Sequence, residues 1–383
     1  MRPGAARARP RAAEAATYTE DMGTPTTEVL LDALRLVRDP DLGRDIVALA
    51  MVHDLAARNG EVWLTLRLPS TAQETRERIE REARERLLAL PGIAQAHIKL
   101  DLNVPAAGLA HGQQALPGVK NIIAIGSGKG GVGKTTVAVN VAIALAELGG
   151  VVGLMDADVY GPNVPRMMAI HEAPRVLEQN RIEPLRNYGV KVISMGLISP
   201  GDQPVIWRGP MLHSAVQQFL RNVEWGELDY LIIDMPPGTG DVALTLAQSV
   251  PMTGGVIVTT PSDVSLEDAR KALGMFQRLK IEVLGVVENM SSFECPHCHH
   301  PVDIFSQGGG RRIADQFSVP FLGTLPLLPE VRDGGDRGQP VTVAGAGNAA
   351  AHPYYALARR LAAEVGLRAA TAGAEQDVIQ IRP

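Results

Sequence analysis

The residues Gly128-Lys-Gly-Gly-Val-Gly-Lys-Thr-Thr136 place two lysines and two hydroxyls in a glycine-rich stretch. The apolar run Asn121-Ile-Ile-Ala-Ile-Gly126 precedes them and Val137-Ala-Val-Asn-Val-Ala-Ile-Ala-Leu145 follows, which reads as strand, loop and helix. In that context glycines let backbone N–H groups line a concavity around phosphate oxygens, and the helix turns its positive N-terminus toward them. The expected binding residues are Ser127, Gly128, Lys129, Gly130, Gly131, Val132, Gly133, Lys134, Thr135 and Thr136. The pattern assigns Lys134 to the β- and γ-phosphates of a nucleoside triphosphate and the Thr135 hydroxyl to Mg²⁺. Lys129 is a second lysine that the general pattern does not require. A plain glycine turn is the bland alternative, and the flanking strand and helix argue against it.

Two further apolar runs end in carboxylates. Val151-Val-Gly-Leu-Met-Asp-Ala-Asp158 supplies Asp156 and Asp158, and Tyr230-Leu-Ile-Ile-Asp-Met-Pro-Pro-Gly-Thr-Gly-Asp241 supplies Asp234. Ligands of open α/β sheets bind beyond the carboxyl ends of strands, so these acids are expected to face the phosphates. Asp234 fits the strand-end acid that helps to hold Mg²⁺. Pro236, Pro237, Gly238 and Gly240 form a loop able to change shape when the γ-phosphate leaves. A lone strand-end Asp is more often a cap for the next helix. Three strand ends with matched polar chemistry favour a site.

Only two cysteines exist, both in Cys295-Pro-His-Cys298. That is no disulfide framework; it suits an intracellular metal site or a redox pair. Structural zinc and iron–sulfur clusters each want about four ligands, and a symmetric dimer supplies four from two copies of Cys295 and Cys298. A cluster held so is exposed and easily released. Three other readings stand beside it. His297, His299 and His300 could complete a zinc site within one chain. Cys-Pro-His-Cys also serves thiol redox exchange, although there it normally opens a helix, whereas here it precedes the glycines Gly308–Gly310. A buried, purely structural cysteine pair is the blandest reading.

The elements that position these groups follow from patterning. Strand-like runs at Val151–Met155, Val190–Met195, Tyr230–Ile233, Val256–Thr260 and Val283–Val287 alternate with helical stretches. Continuous apolar strands belong to a parallel sheet covered on both faces. The expected fold is an α/β P-loop NTPase domain with a mostly parallel twisted sheet between helices, preceded by a small α/β (α+β) domain. In the latter, helices are expected over Thr27–Val37, with Val29, Leu30, Leu34 and Val37 apolar, and over Thr71–Leu90, with Ile79, Ala83 and Leu87 on one buried face. Strands are expected at Glu61–Leu66 and Ile93–Leu100. The expected division is a disordered tail at 1–24, the small domain at 25–103, a linker at 104–115, the P-loop domain at 116–366 and a flexible tail at 367–383.

Length favours two domains. The net charge of −5, with only seven lysines, gives no pull toward nucleic acid or anionic membrane. No apolar run approaches the roughly 20 residues of a membrane span. Residues 1–22 carry four arginines but no apolar signal core, and Met22 is an alternative start. The expected localisation is cytoplasmic, with no nucleic-acid or membrane partner.

The phosphate loop with its extra lysine resembles the deviant Walker A loop of MinD-like and nitrogenase-reductase-like ATPases. Asp156-Ala-Asp-Val-Tyr-Gly-Pro-Asn163, Asp234–Asp241 and Glu288-Asn-Met-Ser-Ser-Phe-Glu-Cys-Pro-His-Cys298 are closely similar to segments of the Mrp-type iron–sulfur cluster carriers. This resemblance spans residues 116 to about 365. Through Asp39-Pro-Asp-Leu-Gly-Arg-Asp-Ile46 the N-terminal unit resembles a small iron–sulfur assembly domain. The resemblance implies an ATPase that binds ATP and Mg²⁺ as a homodimer and carries a cluster, of the 4Fe–4S type, between assembly donors and apo-protein acceptors. It implies that Lys129 reaches the partner's nucleotide and that Asp158, with Asp156, orients the attacking water. Asn289 would hydrogen-bond adenine and Pro326 would wall the base. Related N-terminal domains usually carry a cysteine near the start of the charged helix. Ser70-Thr-Ala-Gln-Glu74 puts Gln73 there, which removes thiol chemistry and leaves docking or regulation.

A different class is a spatial-organising ATPase of the MinD or ParA kind with a structural zinc knuckle. It needs a basic amphipathic tail or basic surface, which residues 356–383 do not supply, and it leaves the cysteines unexplained. A metabolic kinase would need an acceptor pocket that no pattern marks. Arg208, in a family-like segment, is either a partner contact or a helix cap.

Overall fold

The structure is a computed structural model describing residues 25–40, 42–69, 71–106, 115–159, 161–197, 209–238, 240–295, 297–298, 300–302 and 304–378. The tail expected at 1–24, Arg208 and most of the expected linker lie outside these residues.

The first unit runs α1 (Thr27–Leu34), β1 (Val52–Arg58), β2 (Glu61–Arg67), α2 (Gln73–Leu88) and β3 (Gln95–Asp101). Strand β2 is central, antiparallel to β1 and parallel to β3. Val62, Leu64 and Leu66 alternate inward beneath the helices, where Leu30, Leu34, Ile79, Ala83 and Leu87 close a separate core. Helix α1 stops three residues before Val37, which is buried in the following turn, and Val29 faces outward. Strand β1 escapes the sequence pattern because Val52-His-Asp-Leu-Ala-Ala-Arg58 lacks apolar alternation. Its register with β2 shifts between His53 and Ala56, with Asp54 at φ +51°.

The second unit contains β4 (Ile122–Ser127), α3 (Lys134–Glu147), β5 (Val152–Asp156), α4 (Val164–Met167), β6 (Leu185–Asn187), β7 (Val190–Ser194), α5 (Gly209–Arg221) and β8 (Tyr230–Asp234). It continues through α6 (Asp241–Ser249), β9 (Gly254–Thr259), α7 (Asp263–Arg278), β10 (Val283–Asn289), β11 (Phe293–Glu294), β12 (Pro301–Val302), α8 (Gly309–Phe317), β13 (Phe321–Leu325), α9 (Pro329–Asp336) and α10 (His352–Val378). The main sheet has the order β13-β10-β9-β4-β8-β5-β7-β6 and is parallel except for β6. All residues of β4, β5, β7, β8, β9 and β10 are buried, because helices cover both faces. Helices α3 and α10 pack on one face and α5, α6, α7 and α8 on the other. Helix α3 is buried on nearly every side from Val137 to Leu145, since it lies between the sheet and α10.

Two segments differ from expectation at the domain edges. Val104, placed in the linker by composition, is packed in the core of the second unit, and Pro105 O accepts from Asn121 Nδ2 at 2.9 Å. Helix α10 continues past Gly366 to Val378, through an alanine-rich stretch of high helix propensity, with Arg368 paired to Glu282.

Helix α10 also reaches the first unit. Arg359 Nη2 donates to both Asp39 carboxylate oxygens, at 3.1 and 2.9 Å, with both side chains buried. Replacing Arg359 by Met should cost about 3–5 kcal/mol, because it removes the guanidinium from a buried carboxylate. Adding Asp39→Asn should recover most of that loss. Urea unfolding of the single and double variants checks this; a single variant as stable as wild type would show that the pair ties nothing together.

Candidate functional site

Strand β4 ends at Ser127 and α3 begins at Lys134, so residues 128–133 form the turn between them. Beside β4 the sheet order reverses: β5 and β7 lie toward one edge, whereas β9, β10 and β13 lie toward the other. Such a reversal opens a crevice beyond the strand ends. Gly133 adopts φ +81°, and a Cβ there would lie 2.2 Å from Asn289 Nδ2. Only glycine meets both demands. Asn289, the last residue of β10, donates through that Nδ2 to Val132 O at 2.8 Å and braces the turn.

Lys134 is 6% exposed. Its Nζ donates to Asp234 Oδ1 at 2.6 Å and lies 4.0 Å from Asp158 Oδ2. Thr135 Oγ1 donates to Asp234 Oδ2 at 2.7 Å. The sheet register sets the remaining acid: Asp156 stands level with Asp234 on one side and with Ser194 on the other. Residues level on parallel neighbours share a face, so these three polar groups lie side by side at the ends of β8, β5 and β7. Ser194 Oγ donates to Asp156 Oδ2 at 2.7 Å, and the Asp158 N–H donates to Asp156 Oδ1 at 3.0 Å. Burial, then the neighbouring Asp234 charge, pushes the Asp156 carboxyl up to about 8. Burial also raises Asp234, opposed by the Lys134 ammonium.

A cleft of about 1700 Å³, open to solvent, lies over this cluster. Ser127, residues 129–136, Asp158, Asn289 and Pro326 line it. Of the remaining expected nucleotide residues, Gly128 backs onto the Asp268 backbone of α7. Asp156 and Asp234 are fully buried and do not line the cleft. The cleft also draws on Arg166 and Arg332, which no sequence pattern marked, and Ser194 was missed too. A signal for Ser194 existed only in its register with Asp156.

The cysteines occupy a small antiparallel hairpin of β11 and β12, closed by the Cys295 N–H donating to His300 O at 3.0 Å. Cys295 is half-buried and Cys298 exposed. The backbone N–H groups of His297 and Cys298 hold the Cys295 thiol below its ordinary value. Among the described residues, which exclude His299, no three His, Cys, Asp or Glu side chains gather as a metal site. The hairpin is rooted beside the cleft: the Ser291 N–H donates to Leu325 O at 3.0 Å and the Leu327 N–H to Ser292 O at 2.8 Å.

This fold and loop define a P-loop NTPase, an enzyme of nucleotide hydrolysis. Residues 118–362 match the family described as NUBPL iron-transfer P-loop NTPase, and the chain belongs to that family. Residues 27–100 match a second family, described as iron-sulfur cluster assembly protein. An iron-sulfur cluster carrier protein of Synechocystis sp. is 48% identical over 349 residues, covering 90% of this chain and 99% of the relative. A protein of the same name from Deinococcus radiodurans is 47% identical over 342 residues, covering 89% and 96%. Among solved structures, a nucleotide-binding protein from Archaeoglobus fulgidus in complex with ADP is similar with a TM-score of 0.52 and 36% identity. It covers 58% of this chain and 88% of its own.

The buried carboxyl pair makes stability depend on pH. The folded Asp156 pKa lies above its ordinary 3.8, so its contribution is fully present below that pH and is withdrawn as pH rises toward about 8. Asp156→Asn, which keeps an acceptor for the Asp158 N–H, should therefore raise the Tm of the nucleotide-free protein more at pH 8 than at pH 5. Calorimetry at the two pH values tests this, and a gain independent of pH would contradict it.

Proposed function

We propose that this protein is a cytoplasmic, homodimeric carrier that takes an iron–sulfur cluster from an assembly donor and passes it to apo-proteins. ATP binding and hydrolysis are coupled to loading or release. The observation that carries this reading is the rooting of the Cys295–Cys298 hairpin in residues 289–292, beside the wall of the nucleotide cleft. The names of the relatives support it, and the cleft supplies the nucleotide half.

In this reading the backbone N–H groups of the turn cradle the phosphates, and Lys134 leaves Asp234 for the β- and γ-oxygens. Lys129 reaches the partner protomer's nucleotide as a second charge clamp. Asp158 orients the attacking water, with Asp156 as its support rather than a second ligand of the water, given that Asp156 is fully buried. Asn289 and Pro326 flank the adenine. Thr135 Oγ1 lines the cleft and would ligate Mg²⁺, with the buried Asp234 Oδ2, 2.7 Å behind it, as the carboxylate oxygen that orients that hydroxyl and adds negative charge for the ion. When bound, that ion neutralises charge across the β- and γ-oxygens.

One chain offers two thiolates, and a 4Fe–4S cargo takes about four, so two protomers are needed. The depressed Cys295 thiol favours the ligating thiolate. We divide the chain at 25–103 and 116–366, and assign the first unit to docking or regulation. Gln73, where relatives carry a thiol, donates to Glu77 Oε1 instead. The net charge of −5 gives no general pull toward nucleic acid or anionic membrane, and no helix among the described residues is long and apolar enough to cross one. A MinD- or ParA-like positioning role would leave the hairpin without a purpose.

Anaerobic reconstitution should give about four irons and four sulfides per wild-type dimer, lost in Cys295→Ala/Cys298→Ala. One zinc per chain without sulfide would sink the carrier reading. Lys134→Ala should lower ATP hydrolysis by about 100-fold or more, because a preorganised cation on the transferring group is removed. If a folded Lys134→Ala protein still transferred clusters at wild-type rate, coupling to ATP would be refuted.

A further inference from the structure

Glu288 is a fully buried carboxylate that the nucleotide chemistry leaves unused. It precedes Asn289 at the end of β10. Its Oε1 accepts the Gly308 N–H at 3.0 Å and its Oε2 the Gly310 N–H at 2.5 Å, so one side chain holds the first turn of α8. The approach requires bare backbone: a Cβ on Gly310 would lie 2.9 Å from Glu288 Cβ. Free N–H groups and the helix dipole favour a negative charge at that end. The glycine run at 308–310 thus admits a carboxylate.

Between Glu288 and Gly308 the chain leaves the sheet, forms the cysteine hairpin and returns. The outgoing leg is fixed to the cleft wall, through Asn289 to Val132 O and through the Ser291 N–H and Oγ to Leu325 O at 3.0 and 3.1 Å. The return leg is fixed to Glu288. Both legs therefore end on adjacent residues of one strand, and one of these residues lines the nucleotide cleft.

We propose that Glu288 is a positioning residue for the cysteine pair, tying the return leg of the hairpin to the strand end at the cleft wall. Nucleotide binding then changes how Cys295 and Cys298 are presented. The inference rests on these cysteines being the cargo site and names how the nucleotide governs them. It places the coupling in residues 288–292 rather than in the loop after Asp234.

The test compares full-length wild type, Glu288→Gln and Gly310→Ala without cargo. Alkylation rates of Cys295 and Cys298 by iodoacetamide are measured without nucleotide and with a saturating non-hydrolysable ATP analogue, alongside the affinity for that analogue. In wild type the nucleotide should change the rate about fivefold or more, the lower end of ordinary coupling between sites. In Glu288→Gln, whose amide oxygen replaces only one of two acceptors, the change should shrink to about twofold or less while affinity holds. Gly310→Ala keeps the carboxyl group but displaces it, and should behave alike. A nucleotide effect undiminished in both variants overturns the proposal, as does wild-type alkylation that ignores nucleotide. The thiol assay needs no cluster, so failure of the carrier reading would appear separately, in the iron and sulfide count.

Discussion

One ammonium organises the second unit. Lys134 lies at the floor of the cleft against Asp234, with Asp158 also lining the cleft and Asp156 one strand away. Two fully buried carboxylates, Asp156 and Asp234, beside a single buried cation cannot both be charged at modest cost. Burial, then the neighbouring Asp234 charge, raises the Asp156 carboxyl, and the hydrogen bonds it accepts from Ser194 Oγ and the Asp158 N–H offset only part of that rise. The arrangement needs β4, β8, β5 and β7 in one register. A slip of one residue would turn every polar group to the opposite face and bury apolar side chains in the site. The apolar strands thus serve the charged cluster by fixing its height.

The same constraint explains Asn140, a polar residue in the middle of buried α3. Asparagine is a poor helix interior, and its amide must be satisfied there. Its Nδ2 donates to Thr136 O at 2.9 Å, and its Oδ1 accepts from Thr342 Oγ1 at 3.0 Å. Thr342 O in turn accepts from Tyr355 OH at 3.1 Å, one turn of α10 before Arg359. Helix α10 therefore holds the first turn of α3 by hydrogen bonds and holds the first unit through the Asp39 pair. Asp39, which lies within the residues matched to the assembly-protein family, meets that helix at Arg359.

Much of this was legible in the sequence, for stated reasons. Glycine spacing marks the phosphate turn because few other sequences allow that backbone, and continuous apolar runs mark the parallel strands because both faces are covered. The acids Asp156, Asp158 and Asp234 were legible as strand-end residues, but their separate environments were not. Whether an Asp lies under or beside a cleft depends on which strands are neighbours, and the order β4-β8-β5 is not the chain order. Ser194, Arg166 and Arg332 were illegible for the same reason. Strand β1 was missed because a bulge erases alternation. The helical stretch beyond Gly366 was read as a tail because alanine is as compatible with loose chain as with helix until a partner such as Glu282 is known.

The cysteine hairpin is short. Its strands are two residues each, and an isolated hairpin is at best marginally stable in water. Its shape must therefore come from its two roots, one in the cleft wall and one at Glu288. A site whose geometry is borrowed in this way responds to small changes at the roots, whereas a well-packed metal knuckle would resist them. In the carrier reading proposed above, such responsiveness is what a cargo site would need in order to hold a cluster in one nucleotide state and yield it in another. On that reading, the exposure of Cys298 and a grip of two thiolates per chain would make release easy. Control would then come from the roots, where β10 carries both Asn289, which lines the cleft, and the Glu288 carboxylate that holds Gly308 and Gly310.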